Sequence, residues 1–269
     1  MLFCGEKGMH PIESRVSSNF INAMVVAAVG SGGRVEHFPG VTCVRTAFPL
    51  SDFNSAFITE KAGVEPDILN RVCGFFDGLK SEWRLVVPPS VAEVFWDIPK
   101  RVPVTQWRRE PEMILTSQFT SIWAMPLDLE IQAVRDIGQL QSWARTSSLG
   151  FETGDASFFD LFVKPENLAI KDTTMYIGTS DGKPVATSLL NISDNVAGIY
   201  AVCTLREFRG RGFGAAMTAF AVNDGFSKGC DLASLQSSPY GAPVYFKLGF
   251  RYVFDYQCWV VSPRASRAR

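Results

Sequence analysis

The period of apolar positions changes repeatedly along this chain, and each change marks an element. Residues 11–29 place Ile12, Val16, Phe20, Met24 and Ala27 or Ala28 on one helical face, and the glycines at 30, 32 and 33 stop that helix. Arg34 leads into no helix, so this cluster reads as a plain turn rather than a phosphate loop. Residues 41–46 read as a strand, and 66–76 as a helix with Ile68, Leu69, Val72, Phe75 and Phe76 inward. An apolar strand at 83–87 is halted by Pro88 and Pro89. A short helix at 91–96 and a strand at 112–116 follow.

The pattern breaks around Pro126, which suggests domains at 1–125 and 126–269. Beyond it come a strand at 131–134 and a helix at 135–144 with Ile137, Leu140 and Trp143 inward. A second helical region lies at 157–163, then strands at 175–179 and 184–190 around the hairpin signal Asp181-Gly182. A polar turn at 193–195 precedes a strand over 199–204. A helix opens at Ala215, a strand runs through 232–236, a short helix through 243–248 and a closing strand through 252–260. The order from 131 is β-α-α-β-β-β-α-β-α-β.

At 269 residues and 46% apolar composition, the chain has ample material for two buried cores and is not a disordered one. A net charge of −1 gives no general attraction to nucleic acid or anionic membrane; the basic tail at Arg264, Arg267 and Arg269 reads as a solvated end. The cysteines at 4, 43, 73, 203, 230 and 258 form no CxxC pair and read as buried thiols in a reducing compartment. His10 and His37 are the histidines, and no cluster shows metal-ligand spacing. His37 reads as a surface or capping residue. The longest apolar stretch near the start, 23–29, is too short to span a bilayer. These features point to a cytoplasmic protein without metal, nucleic-acid or membrane partners.

The segment 198–214, GIYAVCTLREFRGRGFG, carries the most chemistry. A strand gives way to an Arg-rich turn with glycines at 210, 212 and 214, and then to a helix. Backbone N–H groups at such a helix start can face a phosphate. A dinucleotide fingerprint fits poorly, because polar residues separate strand from glycine and Asp231 precedes the next strand instead of following it. A P-loop is excluded by the missing Gly-Lys-Ser/Thr.

Arg209-x-x-Gly212-x-Gly214 entering a helix resembles the acyl-CoA-binding signature of the GNAT superfamily of N-acyltransferases. The run QSSPYGAPVYFKLGF at 236–250 looks like that superfamily's second signature, ending in Tyr245-x-x-x-Gly249-Phe250. The resemblance covers roughly residues 131–261. It implies an α/β (α+β) fold with a mixed, largely antiparallel central sheet. In it the strands around 198–204 and 232–236 splay into a V-shaped slot for acetyl-CoA. Carried over by position, Val202, Cys203 and Thr204 would hold the pantetheine arm. Arg209, Gly210, Arg211, Gly212, Phe213, Gly214 and Ala215 would hold the pyrophosphate. Ser238 stands where many relatives have an asparagine on the CoA arm. Arg206 replaces a common proline.

The resemblance further implies direct transfer of an acetyl group to a primary amine, on a small molecule rather than a protein, by a monomer or homodimer. Tyr245 matches the position of the general acid that protonates the leaving thiolate, and the backbone N–H near 202 that of the oxyanion donor. The base is open: Glu152 comes first, with Asp155, Asp160 or a water relay as alternatives. Cys203, on an alternating strand, reads as a packing thiol. Phe151, Phe158, Phe159 and Phe162 are candidates for an acceptor-pocket wall, although this spacing more often marks core. Residues 41–125, with Asp52-Phe-Asn, 83–88 and Met113, are compatible with a worn GNAT-like first half. The competing function is a non-catalytic acyl-CoA sensor; a nucleotide-dependent reductase is the third.

Overall fold

Helix α1, Met9–Ser31, buries Val16, Phe20, Met24 and Ala28, the stripe expected from the sequence. The computed structural model describes residues 9–117, 125–155 and 157–262; Cys4 and the arginines of the basic tail lie outside them. The chain forms two compact units, one of residues 1–111 and 254–269, the other of Glu112–Val253. The line drawn from Pro126 differs from this division, because the strand at the junction starts in one unit and ends in the other.

In the first unit, strands β1 (Arg34–Phe38), β2 (Val41–Arg45), β3 (Asn54–Ile58) and β4 (Trp83–Val87) lie in that order. The pairs β1/β2 and β2/β3 are antiparallel, while β3 and β4 run parallel and are connected through α2 (Pro66–Phe75). A parallel pair needs such a crossover. A 3₁₀ segment, Pro89–Lys100, follows β4. The Asp52-Phe-Asn motif has a structural use here. Asn54, wholly buried, accepts from Thr46 N and donates to the carbonyls of Phe48 and Leu50, fixing the loop between β2 and β3. Arg84 is also buried, held by Ser55 Oγ at 2.9 Å and by Glu110. His37 lies on β1, exposed, with Nδ1 3.1 Å from Thr42 Oγ1.

The chain leaves this unit along β5 (Val104–Thr116). Its last residues, 112–116, pair antiparallel with β10 (Leu232–Gln236) at the start of the second unit's sheet. The order continues β9 (Val196–Thr204), β8 (Lys183–Ser193), β7 (Thr173–Ser180) and β6 (Glu130–Ala133). Only β9/β10 is parallel among these pairs, so the sheet is mixed and largely antiparallel, as expected. Tight turns at Asp181-Gly182 and Asp194-Asn195 take positive φ, the geometry two-residue hairpins require. β11 (Arg251–Val261) starts in this unit and pairs with β4 in the first.

Helix α4 (Phe213–Ser227) covers one face of the second sheet through Ala216, Met217, Ala221 and Val222. Its small residues let it approach closely: a Cβ on Gly225 would sit 2.4 Å from Ala197 Cβ. Helix α3 (Ile137–Gly150) starts at a reciprocal cap, in which Asp136 accepts from Gln139 N and Gln139 accepts from Arg135 N. It lies on the opposite face, tied by Trp143 Nε1 to Ser188 O at 3.2 Å and by Ser147 Oγ to Thr187 Oγ1 at 3.1 Å. Phe159 and Phe162 pack beside Trp143 as core, whereas Phe151 is exposed. Cys43, Cys73, Cys203, Cys230 and Cys258 are buried thiols in no disulfide among the described residues.

Candidate active site

Two irregularities of β9 shape the site. Its parallel pairing with β10 ends at Gly198↔Ser234, and residues 199–204 run on without that neighbour. Farther along, Ser188 of β8 faces two residues of β9, Ala201 and Val202, because Thr187 pairs with Cys203 and Leu189 with Tyr200. This is a β-bulge, and Ala201 takes a φ of 49° within it. A chain of hydroxyls supports it: Ser147 donates to Thr187, which donates to Ala201 O at 2.9 Å. A bulge leaves backbone groups out of the ladder and re-aims them. Here it does so at the 202 region, on the arm of β9 that has left β10.

β9 leads through a 3₁₀ turn, Arg206–Phe208, to the glycines. Gly210 and Gly212 have φ of 78° and 83°, left-handed backbone that side-chain-bearing residues resist. Gly212 is the N-cap of α4; no side chain caps the helix and no acidic residue lies in its first turn. The first N–H groups of α4 are therefore uncapped by any side chain, at the end that favours negative charge. Arg209 and Arg211 frame this cradle and are themselves engaged. Arg209 donates to Thr204 O and Gly150 O and pairs with Glu152 at 2.9 Å. Arg211 pairs with Asp128, its guanidinium over the rings of Phe208 and Phe213.

A strand that forks and bulges, followed by a left-handed glycine cradle, is the geometry expected for an acyl-CoA slot. Residues 136–250 match the model of the Acetyltransferase (GNAT) family. They form a GNAT acetyltransferase domain. Acyl transfer is therefore the class of chemistry to which this domain belongs. The fold resembles that of a GCN5-related N-acetyltransferase from Kribbella flavida, at 20% identity and a TM-score of 0.66, over 94% of this chain and 96% of that one. It also resembles a putative GNAT-family acetyltransferase from Novosphingobium aromaticivorans, at 18% identity and a TM-score of 0.58, over 90% and 96% of the two chains. No curated protein matches the chain.

Within the GNAT domain, Tyr245 lies on α5 (Ala242–Lys247), half-buried, its ring 5.9 Å from that of Phe250. Burial pushes its phenol up to about 12, so it stays protonated at neutral pH. Its hydroxyl has no hydrogen bond among the described residues. Ser238 Oγ accepts from Gly241 N, a local turn bond before α5. Cys203 is buried, its thiol pushed up to about 11 by that burial, and it packs beside Thr187 and Gly150. Glu152, at a φ of 53° beyond α3, is exposed and paired with Arg209. Asp155 accepts from the N–H and hydroxyl of Ser157, which hold it below the usual carboxylate range. Asp160 is exposed.

One group escaped the sequence reading. Glu112, on β5 opposite the last residue of β10, is wholly buried and accepts from Gln236 Nε2 at 2.7 Å. No motif surrounds it, and its hydrogen-bond partner comes from β10, 124 residues along the chain. No cluster of potential metal ligands occurs among the described residues, and no helix among them is long and apolar enough to cross a membrane.

Proposed function

We propose that this chain is an acetyl-CoA-dependent N-acetyltransferase acting on the primary amine of a small molecule in the cytoplasm. The observation that carries the proposal is the uncapped start of α4, opened by left-handed Gly210 and Gly212 directly after the forked, bulged strand β9. The residues present fit a CoA pyrophosphate. The N–H groups from Gly212 to Ala215 would face it, and Arg209 and Arg211 supply positive charge at the rim. Val202, Cys203 and Thr204 would pair through their backbone with the pantetheine arm, as an added strand does. When bound, acetyl-CoA supplies the acyl group as a thioester.

The chain's own residues have separate tasks in this reading. The bulge presents the 202 N–H toward the thioester carbonyl and stabilises the charge that develops there. Tyr245, protonated and without a competing partner, gives its proton to the departing sulfur. Glu152, paired with Arg209 at 2.9 Å, orients that guanidinium.

The test is thiol release from acetyl-CoA across amino acids, polyamines, aminoglycosides and peptides, with binding followed by calorimetry. Turnover with a small amine supports the reading. Stoichiometric binding without turnover across the panel overturns it in favour of a non-catalytic acyl-CoA sensor.

A further inference from the structure

An ammonium substrate must lose a proton before its nitrogen can attack, and the two carboxylates nearest the end of α3 are engaged, while Asp160 lies exposed. Glu152 is held by Arg209 and Asp155 by Ser157. The fork provides another carboxyl. On β10, Ser234 pairs with Gly198 of β9 and with Ile114 of β5, and Gln236 pairs with Glu112. Side chains alternate across a sheet, so Glu112, Ser234, Gln236 and Tyr200 share one face. It is not the face under α4, which takes Met113, Leu115, Ala233 and Leu235. It is the face of α3, where Thr187 meets Ser147 and Cys203 meets Gly150.

Glu112 is 0% exposed; one carboxyl oxygen, Oε2, takes the Gln236 hydrogen bond, and the other, Oε1, is buried without a partner. An unsatisfied buried oxygen costs about 1–3 kcal/mol, so packing alone gives no reason to keep a glutamate there. Burial pushes this carboxyl up to about 8, against the pull of Gln236 and the nearby Ser234 hydroxyl. The titratable group facing it from β9 is the phenol of Tyr200, which is raised by its own burial and by the Glu112 charge against the pull of its hydrogen bond with Gln236. Tyr200 is the less buried of the two.

We propose that Glu112 is the proton acceptor of the transfer, with the Tyr200 phenol passing the proton to it. The proposal rests on the acetyltransferase reading above. The ammonium gives a proton to Tyr200 Oη as the Tyr200 hydroxyl proton moves to Glu112 Oε1. The freed nitrogen lone pair forms the C–N bond, the C–S bond breaks, and the sulfur leaves with a proton from Tyr245. A second proton lost by the nitrogen restores Tyr245, and Glu112 returns its proton to solvent. One amide, one thiol and one net proton result, with no oxidant or reductant.

The test is the pH profile of kcat at saturating amine. In the wild type kcat rises with pH through about 8, because the carboxyl accepts only when ionised. E112Q loses that limb and slows by about 100-fold, while any limb of the amine itself and the affinity for acetyl-CoA stay in place. Independently of turnover, a wild-type-minus-E112Q infrared difference shows a carboxylic-acid carbonyl band that disappears over the same pH range. Tyr200→Phe slows kcat similarly and leaves that band's titration intact. If E112Q does not fold, E112D serves: a displaced limb supports the assignment and an unmoved one overturns it. Wild-type turnover with an unchanged limb and rate in E112Q overturns the assignment and leaves the acetyltransferase standing. Acetyl-CoA binding without any turnover by the wild type overturns both.

Discussion

The guanidinium of Arg209 lies 2.9 Å from the carboxylate of Glu152, and both side chains are about half exposed. The same guanidinium donates to Gly150 O at 2.8 Å and Thr204 O at 3.1 Å, so it joins the end of α3 to the end of β9. An exposed ion pair contributes at most ~1 kcal/mol, and the carbonyl bonds matter more here. Glu152→Gln is therefore expected to change kcat by less than about 3-fold, with a small rise in the KM for acetyl-CoA. Arg209→Ala, which also frees two carbonyls, should raise that KM by about 10-fold or more. Steady-state kinetics with both substrates varied checks this, and a ~100-fold loss of kcat in Glu152→Gln would return it to the role of base.

The Tyr245 hydroxyl makes no hydrogen bond among the described residues, so it contributes little to folding. Tyr245→Phe should leave the unfolding midpoint almost unchanged and the acetyl-CoA Kd unaffected. Its kcat should fall by about 100-fold, the usual size of a lost general acid. Comparing Kd by calorimetry with kcat by thiol release separates that role from a packing one.

Gly212 and Gly225 lie at opposite ends of α4 and are glycines for different reasons. Gly212→Ala forces a side chain into left-handed backbone, at roughly 1–2 kcal/mol, and distorts the cradle, so acetyl-CoA affinity should fall most. Gly225→Ala puts a methyl 2.4 Å from Ala197 Cβ and lifts the helix off the sheet, so stability should fall most, by roughly 1–3 kcal/mol. Urea midpoints and ligand titrations on both variants distinguish the two effects.

Glu112 also couples stability to pH. Its folded value of about 8 stands above the ordinary glutamate value of 4.5, so between these the native state holds a proton that the unfolded chain has lost. Its contribution is complete below about 4.5 and is lost as pH rises through about 8. Glu112→Gln, which cannot titrate, should gain on the wild type over this window by up to ~1.4 kcal/mol per pH unit. Urea denaturation at several pH values measures the difference.

Elements with a strong period were legible in the sequence. β10 begins and ends where its apolar run does, α2 keeps the expected face, and Asp181-Gly182 makes the expected turn. β1 escaped because it is mostly exposed and its residues, RVEHF, carry little apolar signal. β3 escaped because all of its residues are buried, which removes the alternation a strand is read by. In the site, the glycine turn and the helix of Tyr245 are local features and could be read locally. The bulge at Ala201 and the burial of Glu112 depend on register with β8 and β10, which no stretch of sequence states by itself.

The path of β11 means that the first unit is not a contiguous cassette, whereas the second, Glu112–Val253, is contiguous but longer than its family match. The family match begins at 136, but the strand that flanks β10 is supplied by 112–116. A fragment trimmed to 136–250 would keep the glycine cradle and Tyr245 and still leave β10 as a bare sheet edge, ready to recruit a strand from another molecule. Likewise, a fragment ending at 111 would lack the 257–261 strand that completes β4. Such halves, made separately, should aggregate even where the intact chain is monodisperse. A fusion partner or an inserted module is better placed in a surface turn such as Asp181-Gly182 than at the apparent midpoint of the chain.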